Sequence, residues 1–272
     1  MLLSEVINLK EGLELLKEGE FTSLGLAIAE CEEKILTFIE SEKYISGLSD
    51  KITALITTRE IGEKLKDKYG IIISESPRYD YFKLHNTLSS NEEYKRESFN
   101  TTIGEGCKIS KLSSISDTNV VIGNNVIIEE FVVIRENTVI GDNSIIRAGV
   151  ILGGEGYEYK RTDGIIMNVN HCGGVIIGDY SKLDDLVHIE HGVKVGERCL
   201  IASRSTFGGR TVIGSDSWVG LGAIISNGLV LGSKVSISLG AVVTTNLKDG
   251  EKVSGNFAIN HDKYIDFIKK IR

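Results

Sequence analysis

Proline, tryptophan and long apolar runs are scarce in this chain of 272 residues, which has one proline, one tryptophan and two methionines beside 30 glycines. The lack of proline excludes collagen-like and proline-rich chains. No apolar run approaches the roughly 18 residues that span a bilayer, and charges interrupt the leucines of the N-terminal segment, so we expect neither a membrane segment nor a signal peptide. Basic residues are outnumbered, 31 against 38 acidic ones, and the net charge of −7 argues against nucleic acid as a partner.

The cysteines give no sign of a disulfide framework or a metal site. They lie far apart in the sequence and form no CxxC pair: Cys31, Cys107, Cys172 and Cys199. Closely spaced pairs are what a zinc knuckle requires. His188 and His191 are close in sequence, but no third ligand is spaced with them. We therefore expect reduced thiols, a cytoplasmic location and no metal cofactor.

A repeat of six residues fills the second half of the chain. Twelve apolar residues recur at this spacing without interruption: Ile177, Leu183, Ile189, Val195, Ile201, Phe207, Ile213, Val219, Ile225, Leu231, Ile237 and Val243. At 41% apolar residues, chance would give such a run with a probability on the order of 10⁻⁵. A small or β-branched residue follows most of them four positions later, and the frame continues upstream from Ile122 to Leu152. Both positions are therefore expected to point inward.

A strict period of six fits neither an α-helix nor a flat strand, whose periods are about 3.6 and 2. It predicts a coil with three short faces, in which stacked rungs pair as parallel strands around an apolar interior. We expect about seven rungs of roughly 18 residues each. Glycines after the apolar residue, such as Gly178 and Gly196, are expected at tight corners. The gap between Leu152 and Ile177 breaks the frame and predicts an inserted loop at 153–176.

The first hundred residues lack this repeat. Apolar segments at 23–30, 51–58 and 70–76 predict short buried strands, whereas Glu5–Lys17 and Arg59–Lys68 have helical spacing. The sequence thus predicts an α/β N-terminal domain, a coil and a short C-terminal helix, at 1–100, 101–258 and 259–272.

The six-residue repeat resembles that of the hexapeptide-repeat acyltransferases over roughly residues 101–257. This resemblance implies a left-handed parallel β-helix and a homotrimer. The segment VSGNFAI (Val253–Ile259) resembles the turn beside which such transferases bind coenzyme A. The resemblance therefore implies coenzyme A, as acyl-coenzyme A, and four candidate contacts to it: Gly209, Gly228, Gly255 and Asn256.

Two segments of the first hundred residues resemble one branch of this family, the UDP-3-O-acylglucosamine N-acyltransferases of lipid A synthesis. They are LTFIESEKY (Leu36–Tyr44) and ESPRYDYFKL (Glu75–Leu84). The family's aromatic residues here hold a nucleobase, which an aromatic ring contacts with little selectivity. Serine stands at two positions where the family has Asn, and the shorter side chain leaves room for the methyl group of thymine. The resemblance implies five nucleotide contacts: Phe38, Ser41, Tyr44, Ser76 and Arg78.

The segment LVHIEHGVKVG (Leu186–Gly196) resembles the one that carries the catalytic histidine of these enzymes, and His191 falls on that histidine. A neutral imidazole can take the proton of an attacking amine. The position of His191 in its hexad predicts a side chain that leaves the coil towards another subunit. His188 is a competing base, and three carboxylates are candidates for orienting the ring: Asp184, Asp185 and Glu190.

The inserted loop also resembles that of the family, through GGEGYEYKRTDG and the returning segment HCGGV. It implies four candidate contacts to the sugar or pyrophosphate: Tyr157, Tyr159, Lys160 and His171.

Together these features predict an N-acyltransferase that moves a short acyl group from acyl-coenzyme A to the amine of a nucleotide-linked amino-deoxysugar, such as a dTDP-4-amino-4,6-dideoxyhexose. The acidic net charge disfavours docking of acyl carrier protein, which is itself strongly acidic. Two alternatives stay open. One is a UDP-3-O-acylglucosamine N-acyltransferase that uses acyl carrier protein, and the other is a non-catalytic β-helix that binds a nucleotide sugar.

Overall fold

The structure is a computed structural model that describes residues 1–9, 12–26, 34–91, 98–154, 159–162, 164–168, 174–255 and 261–271. The chain divides into two compact units, Met1–Arg96 with Tyr157–Asn170 and Glu97–Gly156 with His171–Arg272. No helix within the described ranges has the length and apolar character needed to cross a membrane.

The first unit contains a five-stranded sheet covered by helices on both faces. In chain order its elements are α1 (Leu3–Leu9), β1 (Glu14–Lys17), β2 (Ser23–Leu24), β3 (Ile35–Ile39), a 3-10 helix (Glu42–Gly47), β4 (Ile52–Thr57), α2 (Arg59–Leu65), β5 (Gly70–Ile73) and α3 (Pro77–Ser89). The strand order is β1-β5-β4-β3-β2, and only β1 is antiparallel to its neighbour. Helices α1 and α3 pack on one face and α2 on the other, which explains why the central strands are apolar on both sides.

The helix predicted over Glu5–Lys17 is wrong in its second half. Helix α1 ends at Leu9, and Gly12 has a φ of +85°, which a helix interior does not allow. Residues Glu14–Lys17 instead pair with β5 as an edge strand. The helix expected from Arg59 is confirmed, whereas α3 was not predicted, although its proline stands at the first helical position, where proline is favoured.

The second unit is a coil of short parallel strands. Before the inserted loop these are β6 (Thr102–Ile103), β7 (Lys108–Ile109), β8 (Ser114–Ile115), β9 (Val120–Ile122), β10 (Ile127–Ile128), β11 (Val133–Ile134), β12 (Thr138–Ile140), β13 (Ile145–Ile146) and β14 (Ile151–Gly154). The loop contains an antiparallel hairpin, β15 (Tyr159–Thr162) and β16 (Ile165–Asn168). After it follow β17 (Val175–Ile177), β18 (Lys182–Leu183), β19 (His188–Glu190), β20 (Lys194–Val195), β21 (Leu200–Ile201), β22 (Thr206–Phe207), β23 (Val212–Ile213), β24 (Trp218–Val219), β25 (Ile224–Ile225), β26 (Val230–Leu231), β27 (Ser236–Ile237), β28 (Val242–Val243), β29 (Lys252–Val253) and the C-terminal helix α4 (His261–Ile271).

The coil has three faces, formed by parallel sheets of eight, seven and seven strands, which agrees with the expected seven rungs. All twelve repeated apolar residues are at most 5% exposed and form one continuous core. The prediction that they point inward is therefore confirmed. At the first rung the interior is open, because Ile103 is 52% exposed.

The glycines after the apolar residues serve close packing rather than the turn itself. The left-handed corner residue comes two positions later, as in Tyr180 (φ 59°) and Arg198 (φ 54°). A Cβ on Gly178 would lie 2.6 Å from the carbonyl carbon of Gly196 on the next rung. A Cβ on Gly196 would lie 2.5 Å from the amide nitrogen of Ser215. Glycine is therefore needed because neighbouring rungs approach each other closely.

Candidate active site

A cleft of about 880 Å³ opens in the first unit at the carboxyl ends of β4 and β5. Because α2 and α3 follow these two strands and cover opposite faces of the sheet, the cleft lies where open α/β sheets bind ligands. Its polar lining comes from the starts of both helices and from β1: Glu14, Thr58, Arg59, Ser74, Ser76 and Asp80.

The wall of this cleft is held by hydrogen bonds between buried groups. The hydroxyl of Ser74 accepts the backbone N–H of Ser76 at 2.9 Å and donates to Oδ2 of Asp80 at 2.5 Å. Ser74 is 3% exposed and Asp80 is 6% exposed, so the bonds fix the loop between β5 and α3 in a low-dielectric setting. Thr58 and Ser76 are the N-cap residues of α2 and α3, but neither side chain makes a capping bond.

Among the five predicted nucleotide contacts, Ser76 is the one in the described lining of the cleft. Phe38 lies near the end of β3 and is half-buried. Its ring centroid is 5.0 Å from that of Tyr81 and 5.7 Å from that of Phe82. The two rings of α3 therefore support the Phe38 ring from the side of the core.

The other predicted nucleotide contacts lie around the 3-10 helix and the start of α3. Tyr44 is 52% exposed, and Ser41 is half-buried just before the helix. Arg78 is half-buried, and its backbone N–H donates to Oε1 of Glu40 at 3.3 Å. A carboxylate thus already occupies one amide of the first turn of α3.

The sequence analysis missed most of the cleft. Thr58, Arg59, Ser74 and Asp80 were not singled out, although the first three come directly after strands that the sequence predicts. Polar residues at the carboxyl ends of adjacent parallel strands converge at one edge of a sheet. That rule was the available signal, but it required the parallel pairing of β4 and β5.

His191 lies in the coil, directly after β19. Its side chain is 8% exposed, and its backbone N–H donates to the carbonyl of Gly154 at 3.0 Å. The imidazole rests against Gly209 on the following rung, where a Cβ would come within 2.4 Å of Cε1 and 2.5 Å of Nε2. His188 is oriented to the preceding rung, since a Cβ on Gly154 would lie 3.0 Å from its Cε1. The two histidines therefore occupy different surroundings.

The three carboxylates near His191 make different contacts. Oε2 of Glu190 accepts the backbone N–H of Gly209 at 2.8 Å, whereas Oδ1 of Asp184 lies 3.7 Å from Nε of Arg147. Asp185 is exposed. Glu190 is thus the carboxylate whose hydrogen bond reaches the glycine that contacts the His191 ring.

The repeat also matches a known family model. Residues 119–154 and 174–209 match the model described as bacterial transferase hexapeptide, six repeats. The coil is a left-handed β-helix of hexapeptide repeats. This finding confirms the fold class that the sequence predicts and places His191 within a matched segment of the hexapeptide-repeat domain.

Named relatives cover only parts of the chain. UDP-3-O-acylglucosamine N-acyltransferase of Fusobacterium nucleatum subsp. nucleatum is 34% identical over 217 residues, which cover 64% of this chain and 65% of that protein. The protein of the same name from Caulobacter sp. strain K31 is 38% identical over 58 residues, 19% of this chain and 17% of that protein. The chain thus spans just under two thirds of the first relative. Among solved structures, a mutant of an N-acyltransferase from Bacillus cereus, in complex with dTDP and coenzyme A, is 17% identical, with a TM-score of 0.39 over 64% of this chain and 90% of that one.

The predicted coenzyme A contacts are spread along the hexapeptide-repeat domain. Gly209 is buried, and Gly228 is exposed with its N–H donating to the carbonyl of Gly209 at 2.9 Å. Gly255 is half-buried near the end of the coil. Asn256 lies outside the described residues.

The predicted sugar contacts lie in the inserted loop. Tyr159 is in β15 and is 50% exposed. Lys160 belongs to the same strand, but its side chain is not among the described parts. Tyr157 and His171 also lie outside the described residues.

The thiol of Cys199 is an interior packing group of the hexapeptide-repeat domain. Burial raises its pKa, and its Sγ lies 3.3 Å from the carbonyl oxygen of Gly214. A protonated, buried thiol is a poor nucleophile. Across the described ranges, no group of three His, Cys, Asp or Glu side chains is arranged to hold a metal ion.

Proposed function

We propose that the protein is an N-acyltransferase that transfers a short acyl group from acyl-coenzyme A to the amine of a nucleotide-linked amino-deoxysugar. The observation that carries the proposal is the enclosed imidazole of His191 in a hexapeptide-repeat domain. The amine attacks the thioester carbonyl, a C–N bond forms, the C–S bond breaks, and His191 accepts the proton that the nitrogen loses. That proton then neutralises the leaving thiolate.

The first unit supplies the nucleotide site in this proposal. Phe38 and Tyr44 flank the base, Ser41 leaves room for the methyl group of thymine, and Ser76 and Arg78 contact phosphate. The support of the Phe38 ring by two aromatic neighbours favours this role, because a ring held in place loses little side-chain entropy on stacking.

The remaining proposed contacts lie on the inserted loop and the coil. The sugar and pyrophosphate are held by Tyr157, Tyr159, Lys160 and His171, and coenzyme A is held by Gly209, Gly228, Gly255 and Asn256. No metal is required for this chemistry, and we propose that the enzyme acts in the cytoplasm.

Incubation with paired acceptors and donors tests the proposed activity. The purified protein is mixed with a dTDP- or UDP-linked amino sugar and with acyl-coenzyme A or acyl carrier protein, and thiol release is followed. Thiol release with the dTDP sugar and acyl-coenzyme A, unchanged by EDTA, is expected. The names of the two relatives favour the alternative, for which release would require the UDP sugar and acyl carrier protein. Binding without release from either donor would indicate a non-catalytic protein.

Replacing Phe38 with Leu is expected to raise the apparent KM for the sugar nucleotide while leaving that for acyl-coenzyme A unchanged. Stacking on a base is worth about 1–3 kcal/mol, which corresponds to about 5- to 150-fold. Phe82→Leu is the matched control, because it alters the same aromatic cluster from the core side. Equal shifts for both substrates, or the same shift in the control, would assign Phe38 to packing alone.

The proposal includes a homotrimer. Exposed apolar side chains gather near the C-terminal end of the coil, each between 50% and 57% exposed: Leu221, Ile224, Leu239 and Val242. Ile224 and Val242 are register partners, and contiguous apolar patches mark protein interfaces. Sedimentation analysis is expected to give three times the mass of the chain. An active monomer would contradict this assembly.

A further inference from the structure

Gly209 differs from other glycines of the coil in what a side chain would meet there. A Cβ on Gly208 would lie 2.6 Å from the amide nitrogen of Asn227, which belongs to the backbone of the next rung. The three atoms nearest to a Cβ on Gly209 would all be ring atoms of His191, namely Cε1 at 2.4 Å, Nε2 at 2.5 Å and Nδ1 at 3.0 Å. The φ of Gly209 is not in the left-handed region, so the backbone itself does not require glycine. The missing Cβ is the space that the imidazole occupies.

A second contact holds this glycine in place. The N–H groups of Gly208 and Gly228 donate to backbone carbonyls of the coil, both at 2.9 Å. The N–H of Gly209 instead donates to Oε2 of Glu190 at 2.8 Å. Such a charge-assisted bond is stronger than a bond between neutral groups, and Glu190 directly precedes His191. One corner therefore carries both the ring and the carboxylate that fixes the surface beneath it.

We infer that Gly209 and Glu190 are positioning residues for His191. Gly209 provides the seat for the imidazole by lacking a Cβ, and Glu190 holds the backbone of that seat by accepting its N–H. The inference rests on the proposed function for the role of His191 as a base, but the seat itself is a property of the fold. Two experiments examine these two parts separately.

Thermal unfolding of a mutant cycle tests the seat without any activity assay. Gly209→Ala is expected to lower the Tm by several degrees in the wild-type background and to leave it unchanged in a His191→Ala background, where the added methyl group finds space. Gly208→Ala is the matched control and is expected to lower the Tm in both backgrounds. Should Gly209→Ala fail to fold alone, the double variant is still expected to fold. Equal losses from Gly209→Ala in both backgrounds would overturn the seat.

Steady-state kinetics test the positioning role. Gly209→Ala is expected to lower kcat about 10²-fold, the effect of a misplacement of about 1 Å, with both KM values unchanged. Glu190→Ala is expected to lower kcat in the same direction, and Glu190→Gln, which keeps an acceptor oxygen, is expected to restore most of it. A raised KM for acyl-coenzyme A at unchanged kcat would identify Gly209 as a donor contact instead and overturn its positioning role. An additive thermal cycle in an active enzyme would reject the seat while the proposed function stands, whereas a coupled cycle in an inactive protein would reject the function and not the seat.

Discussion

Replacing His191 with Asn is expected to lower kcat by about 10²- to 10⁴-fold, the usual contribution of a general base, while both KM values stay near those of the wild type. Asn is smaller than the imidazole that rests on Gly209, so the variant fits without strain. The acidic limb of the pH profile of kcat/KM should also disappear, because the group whose protonation stops the reaction has been removed.

His188→Asn is the matched control for this experiment. His188 comes from the same strand but lies against Gly154 on the preceding rung, so its loss is expected to leave kcat within a small factor of the wild type. A larger loss in this variant than in His191→Asn would reverse the assignment of the base. Near-normal kcat in both variants would mean that catalysis depends mainly on alignment of the two bound substrates.

Replacing Phe207 with Ala is expected to lower the free energy of unfolding by about 3–5 kcal/mol, the cost of removing a buried aromatic ring and leaving a cavity. Phe207 is fully buried and is the largest side chain in the interior of the coil. Its strand pairs with β19 and β25, so the cavity would open between three rungs. Denaturant unfolding measures the loss.

Thr206→Ala provides the comparison for Phe207. Thr206 belongs to the same strand but alternates to the outside and is half-buried, so its replacement is expected to change stability by less than about 1 kcal/mol. Similar losses in the two variants would show that the strand, rather than the ring in the interior, determines stability at this rung.

The sequence predicts the coil well because each rung packs mainly on its neighbours, so a period along the chain directly reflects the contacts in space. The α/β unit is predicted less well. The segment Glu14–Lys17 has helical spacing, but its structure is set by pairing with β5, a partner more than fifty residues away. Helix α3 was hidden because its apolar residues adjoin a segment first assigned to a nucleotide site.

The candidate site divides along the same line. The resemblance of one short segment located His191, and the repeat contained more information than was used. Residues about 18 positions apart lie on neighbouring rungs, which puts Gly209 beside His191 from the sequence alone. The hydrogen bond from Gly209 to Glu190 depends on a side-chain rotamer, which no period reveals.

The fixed length of the rungs determines where this chain tolerates insertions and deletions. From Ile127 the first face steps by 18 residues to Ile145, by 37 to Lys182 and again by 18 to Leu200. The long step contains the inserted loop, which leaves after β14 and returns at β17, so added or lost residues in the loop leave the register of the coil unchanged. One residue deleted within a later rung would turn every following apolar side chain out of the interior. Changes of length, and the new contacts that they bring, can therefore accumulate in the loop while the rungs around His191 are restricted to substitutions.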